Sequence, residues 1–574
     1  MPAALTYPGV YVEEIASGVR TISGVATSVT AFIGRALRGP LNTATVINGF
    51  GDFETRFGGL WVESALGYAV RDFFANGGGQ AVIVRLYHAD PAPLANSNPP
   101  AAAAAQRPID IGELHFLAAD AGRWGNALRV RVDRDNVSAE AAASLGVAAT
   151  ALFNLTVRDS ASGRSERYLN LTVVDSPRRV DRVLSGASSL LRYAGAPDGS
   201  EAVEAGGDAI SVKEEGLLTA QKALDGKRNS DPSADAAAEI AAVASARTAL
   251  DGVLNAASQA VSDGLPLTVA DFLPAGGEAA KQGLYALEQV DLFNLLCLPP
   301  YRAATDTIDV DTGLVSAAAA YCEKRRAMLL LDAPKPWIDK DSARSGISDV
   351  DTDQVGTRSR NAALFFPRLR QPNPLRDGQI ETFAACGAVA GVFARTDANR
   401  GVWKAPAGFD ATLVGAPQLA VALTDAENGE LNPLGVNCLR ALPGAGRVVW
   451  GARTLRGADQ LADEYKYIPV RRTALYIEES LYRGLKWAVF EPNDEPLWAQ
   501  IRLNVGAFMH TLFRQGAFQG SSPRDAYFVR CDKETTPQND INLGIVNVVV
   551  GFAPLKPAEF VVLRLQQIAG QIDV

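Results

Sequence analysis

This chain of 574 residues predicts a multidomain protein of the α/β plus α+β class. Three observations carry that reading. Short apolar runs alternate with helical spacings over residues 25–90 and again over 285–400, the pattern of a mainly parallel sheet covered by helices. A strand-rich stretch at 109–190 and a compositionally distinct one at 195–284 separate these two halves. Residues 440–574 then mix helical and strand patterns as a final α+β domain.

The elements follow in order. Residues 1–22 read as an arm. The run GVYVEE at 9–14 alternates weakly between Pro8 and Gly18, which makes a short strand. It has no hairpin partner in sequence, so its edge must be supplied from elsewhere. Residues 25–34 are strand-like, 61–76 have helical spacing ended by Gly77–Gly79, and 81–87 (AVIVRLY) form a buried strand. A Pro/Ala linker spans 91–108. Strands are expected at 128–132 and 153–158, and a helix near 177–192. Residues 195–284 are rich in Ala, Gly, Ser and charge. They read as a surface insertion, partly flexible, with a helix over 236–250 capped by Asp235.

The α/β pattern returns with strands at 293–298, 328–331 and 363–366 and helices at 316–326 and 381–393. In the last domain, 471–490 is an amphipathic helix. Ala474, Ile477, Leu481, Leu485 and Ala488 share one face; Arg472, Glu479, Arg483 and Lys486 lie roughly opposite. Residues 560–565 (FVVLRL), after Pro554 and Pro557, form a last strand. The predicted organisation is an arm (1–22), an α/β part (23–108), a strand-rich subdomain (109–194), an insertion (195–284), a second α/β part (285–440), a C-terminal domain (441–556) and a C-terminal arm (557–574).

Composition narrows the function. Apolar content of 47% and charged content of 21% describe a globular protein, and a net charge of −9 argues against a nucleic-acid partner. The first twelve residues lack the basic start and apolar core of a signal peptide, and no apolar run approaches the ~20 residues of a membrane span. Five cysteines without short spacings (Cys297, Cys322, Cys386, Cys438, Cys531) suggest free thiols in a reducing compartment, hence assembly in a cytoplasm.

No catalytic constellation emerges. His88, His115 and His510 are far apart and none belongs to HExxH; no GxSxG elbow or GxxxxGK[ST] loop occurs. Asn76–Gly79 follows a helix and precedes a strand, the reverse of a phosphate-binding loop, so it reads as a helix cap. Asp332 ends a strand where α/β enzymes place carboxylates, but nothing beside it supplies a base or metal set, which favours a structural turn. Arg395-Thr396-Asp397 reads as an ion pair fixing a loop. No catalytic, cofactor-binding or metal-binding residue is expected.

Several stretches together resemble one family. They are YPGVYVEE at 7–14, GRWGNALRVRV at 122–132, GVFARTDANRGVWKAPAG at 391–408, RRTALYIEESLYRGLKWAVFE at 471–491, LWAQIRLNVGAFMHTLFRQGAFQG at 497–520 and GIVNVVVGF at 544–552. In order and placement the chain resembles contractile-tail sheath proteins, the outer cylinder of myophage tails, R-type bacteriocins and related injection systems. Residues 191–284 match nothing in that pattern.

The resemblance implies helically stacked hexameric discs of this chain around an inner tube protein, with baseplate and terminator or cap proteins at the ends, and no nucleic acid or membrane insertion. It points Arg472, Glu479, Arg483 and Lys486 at the tube. It makes Val10, Tyr11, Val12 and Glu13 of one arm, and Phe560, Val561, Val562 and Leu563 of the other, strands donated to neighbouring subunits. The rival readings are an α/β enzyme with a C-terminal oligomerisation domain and a non-contracting sheath homologue at a cap or baseplate.

Overall fold

The structure, a computed structural model, describes residues 20–90, 105–195, 204–231, 233, 235–302, 306, 308–348 and 354–565. Val10, Tyr11, Val12 and Glu13, and most of the 91–108 linker, lie outside the described residues.

The first α/β part supplies β1 (Thr30–Gly34), β2 (Thr45–Ile47), α1 (Ala65–Ala75) and β3 (Ala81–Arg85). Ser64 caps α1 by accepting the N–H of Leu66, and Asn76 closes it as expected. The strand-rich subdomain follows. One three-stranded sheet joins Pro108–Ile111, Leu114–Ala118 and Leu191–Tyr193; a four-stranded one joins Leu128–Asp133, Leu152–Asp159, Ser165–Thr172 and Gly206–Gly207. The Trp-Gly-Asn stretch is a 3-10 turn, Arg123–Ala127, that leads into the strand at Leu128. Phe116, Val130, Phe153, Leu155 and Leu184 give this lobe a core of its own.

The insertion differs from expectation. It is not a loose segment but two long helices, α2 (Ala209–Ser230) and α3 (Ala237–Ala260), turned back on one another. Leu217, Ala220 and Leu224 on α2 and Val243, Ala246 and Leu250 on α3 recur at spacings of three and four and form a half-buried seam. Lys227 pairs with Glu239 at 2.9 Å near the turn, and Asp235 accepts the N–H of Ala237 at 2.9 Å. No residue of α3 is buried, and only Ile210 of α2 is; the hairpin touches the strand-rich lobe at its base, where Arg129 pairs with Glu214 at 2.7 Å and Asn126 donates to the Ala257 carbonyl at 3.2 Å. The insertion ends at residue 260, because Leu267, Phe272, Leu284 and Leu287 already belong to the main core.

The second α/β part adds β4 (Leu295–Cys297), β5 (Met328–Asp332), β6 (Ala362–Phe366), α4 (Cys386–Arg400), β7 (Val436–Leu442) and β8 (Gly446–Val449). The two halves share one eight-stranded sheet in the order β8-β7-β6-β5-β4-β1-β3-β2, parallel from β7 through β3 and antiparallel at both edges. Every residue of β1, β3, β4 and β6 is buried, as strands covered on both faces must be. On one face α1 and α4 approach closely through glycines. A Cβ at Gly387 would stand 2.0 Å from the carbonyl oxygen of Ala69, and one at Gly391 2.4 Å from that of Phe73.

The C-terminal domain holds α5 (Ile468–Gly484), α6 (Glu495–Arg514), β9 (Tyr527–Arg530) and β10 (Val549–Phe552). Trp498, Ile501, Val505, Phe508 and Leu512 of α6 form its core, joined by Ile22 from the other end of the chain. The predicted helix over 471–490 is shorter: α5 stops at Gly484, and a 3-10 turn, Lys486–Ala488, follows.

Candidate assembly surfaces

The polar face of α5 is not an open surface. Arg471 donates from Nε to Asn361 Oδ1 at 2.8 Å, and Asn361 is itself fully buried behind the sheet. Arg472 forks onto Asp397 of α4 at 2.8 and 2.6 Å and donates to the carbonyl of Thr27. Both members of that pair are buried. Glu479 accepts from Arg326 at 3.0 Å and from Arg483 at 2.7 Å. Arg483 also binds Asp291, whose hydrogen bond from the guanidinium holds its carboxyl below the usual range while Arg483 is raised. Apart from the Glu479–Arg483 pair within α5, these partners lie in the α/β part. The expectation of a free charged face is therefore corrected for Arg472 and Glu479, which are spent inside the chain, and Arg483 is half-buried; of the four only Lys486 is exposed, its ammonium 5.3 Å from the Tyr482 ring centre. Helical periodicity cannot reveal this, because the partners sit tens to hundreds of residues away.

The N-terminal segment runs along the same helix. Arg20 stacks on the Trp487 ring at 4.6 Å, Ile22 is buried against Gly484, and the N–H of Val25 donates to Ser480 at 3.3 Å. A Cβ at Gly24 would fall 1.9 Å from the Tyr476 hydroxyl. From residue 20 to Val25 the chain thus packs along α5 of the C-terminal domain.

The C-terminal arm follows the last strand of that domain. β9 and β10 form a sheet of only two strands, with Phe528 and Val549 about half exposed. From Phe552 the chain runs through Pro554 and Pro557 to Glu559, whose carboxylate takes a two-pronged contact from Arg453 at 2.7 and 2.6 Å. Burial works against the charge on Arg453, but hydrogen bonds and field from Glu559 more than offset it, and the guanidinium is held above its ordinary pKa. Beyond Glu559 the predicted strand pairs with no strand among the described residues. Phe560, Val561, Val562 and Leu563 are 75–83% exposed. Neither Arg453 nor Glu559 was marked in the sequence, since a single Arg and a single Glu 106 residues apart carry no pattern.

The enzyme-like features resolve into structure. Asp332 Oδ1 accepts the N–H groups of Ala385 and Cys386 at 2.6 and 2.8 Å, capping α4, and burial raises its pKa. Arg395 and Asp397 lie on α4, not on a loop, and do not pair with each other: Arg395 donates to the carbonyls of Asn76 and Thr412, while Asp397 holds Arg472. His88 contacts Asp271 at 2.9 Å and His115 contacts Asp110 at 2.7 Å, in different lobes. Among the described residues no group of His, Cys, Asp and Glu could hold a metal, and no helix is long and apolar enough to cross a membrane.

Models of the phage tail sheath central domain and of its C-terminal domain match residues 274–455 and 462–568, together half of the chain. The chain belongs to the phage tail sheath family. The boundary between the two matches falls between β8 and α5, where the domains meet. The sheath protein is 28% identical over 188 residues to the tail sheath protein of Vibrio phage KVP40, covering 33% of this chain and 27% of that one. It is 26% identical over 255 residues to a putative prophage major tail sheath protein of Pseudomonas aeruginosa, covering 43% of this chain and 59% of the relative. The matches therefore span less than two thirds of either relative. Among solved structures it resembles the helical sheath of the anti-feeding prophage in its contracted state, with a TM-score of 0.53 at 21% identity over 98% of this chain and 100% of that one. A contracted extracellular contractile injection system sheath complex gives 0.53 at 20% identity over 98% of both chains. At these identities the likeness speaks for the fold.

Proposed function

We propose that the sheath protein polymerises as hexameric discs stacked helically around an inner tube and shortens to drive that tube through a target envelope. The observation that carries this is an exposed apolar run, 560–565, which follows the two-stranded sheet of β9 and β10. An apolar run of this kind is stabilised by burial against a strand edge. Each subunit donates its two arms, the first through Val10, Tyr11, Val12 and Glu13, the second through Phe560, Val561, Val562 and Leu563, to neighbours' C-terminal domains. Shortening exchanges one lattice packing for another with more buried interface, so no cofactor or catalytic group takes part. Assembly takes place in a bacterial cytoplasm, with baseplate and terminator proteins closing the ends.

The tube-facing surface is centred on Lys486, the open member of the four charges assigned to it. Lys486→Glu should lower the fraction of extended, tube-filled particles seen by electron microscopy, and more so at low salt, because each exposed contact contributes about 0–1 kcal/mol and is screened. Deleting 560–574 should leave a folded subunit that forms no long sheaths. Normal polymers from that truncation would refute the donated-arm reading.

A further inference from the structure

We propose that Arg453 and Glu559 are the fixed root of the C-terminal arm: the segment handed to a neighbour starts at Phe560, and everything before it stays strapped to its own subunit in every packing of the sheath. This rests on the donated-arm reading above and adds the residue at which the arm becomes free.

Arg453 belongs to the α/β part. Its backbone N–H donates to Asn437 Oδ1 at 2.6 Å and its carbonyl accepts from Asn437 Nδ2 at 2.8 Å, which ties it to β7. Its side chain is fully buried, and a guanidinium in that position needs a carboxylate. Nη1 goes to the Gly457 carbonyl at 3.1 Å and to Asp459 at 2.9 Å. Nε and Nη2 are left, and both go to Glu559. Tyr467 adds a hydroxyl bond to the same carboxylate at 3.1 Å. Glu559, however, belongs to the chain that has left the C-terminal domain. Ala553 is still tied to that domain, donating to the Ala526 carbonyl and accepting from the N–H of Gln519. Between Ala553 and Glu559 the chain therefore bridges the two domains.

It bridges a real gap. A cleft of about 710 Å³ lies there, lined by Trp403, Lys404, Trp450 and Gln515, by strap residues 555–559 and by Phe560 just beyond them. Pro554 and Pro557 stiffen the strap. Exposure then changes within one residue, from a 15% exposed Glu559 side chain to a 75% exposed Phe560. Were the strap to swing with the arm, Arg453 would be left buried with two of its donors unmet; movement that starts after Glu559 incurs no such loss.

The test uses spin labels at Lys556→Cys on the strap, Val562→Cys on the free segment, and Ile338→Cys on the α/β part, the five native thiols being buried. Distances are measured by pulsed electron resonance in the free subunit and in sheaths diluted with unlabelled subunits. The 556–338 distance should be narrow and the same in both; the 562–338 distance should be broad in the free subunit and narrow in the sheath. Glu559→Gln should broaden the 556–338 distribution and lower sheath yield about tenfold. If that variant fails to fold, the double variant Arg453→Met, Glu559→Met removes both charges together and should still broaden it. A 556–338 distance that shifts on assembly beyond its own width, or that stays narrow without Glu559, overturns the proposal. Normal sheaths from the 560–574 deletion would instead refute donation, and the strap distances would still decide the root.

Discussion

Arg472 and Asp397 meet where no solvent reaches, with 4% and 3% of their side chains exposed. Removing one partner strands the other charge, so Asp397→Ala should cost about 3–5 kcal/mol, read as a lower urea midpoint for the intact chain. The joint change Arg472→Met, Asp397→Leu should recover most of that loss. Glycines give a second contrast, in sign. Gly387 sits under the Ala69 carbonyl, so Gly387→Ala should destabilise by about 1–3 kcal/mol despite alanine's better helix propensity. Gly429, on the helix Asp425–Leu431, has open space beside it, and Gly429→Ala should stabilise by about 0.4–1 kcal/mol. Thermal melts of the two single variants check the pair.

At the scale of elements, the strands of the central sheet were legible because a strand buried on both faces reads as an unbroken apolar run: AFIG in β1, AVIVR in β3, MLLLD in β5. The α2–α3 hairpin was only half legible. Its few Leu and Val seam residues are set among alanine, glycine and charge, and that composition is shared with flexible sequence. The face of α5 was misjudged for the opposite reason, since charges at helical spacing read as solvated unless their distant partners are known. The predicted arm of residues 1–22 likewise includes a packed residue, because Ile22 lies in the C-terminal core. Two truncations isolate its contribution. Deleting 1–19 should leave the melting temperature of the subunit unchanged, whereas deleting 1–22 also removes Ile22 and should cost about 1.5–3 kcal/mol. Equal melts for the two would show that the 20–22 segment does not dock as described.

On the scale of the whole molecule, the hairpin is separable. Replacing 209–260 with a short Gly/Ser linker should leave the main unfolding transition in place, since no residue of α3 and only Ile210 of α2 is buried. The same hairpin should remain open to protease in assembled sheaths, and full protection would place it at an interface instead. The remainder of the molecule behaves differently. Arg471, Arg472, Glu479 and Arg483 bolt α5 to four separate points of the α/β part, at Asn361, Asp397, Arg326 and Asp291. A body fastened at that many points transmits torque without flexing. In the proposed shortening cylinder, bodies of this kind would make stroke length a matter of gearing between neighbours, with compliance confined to the proposed tethers.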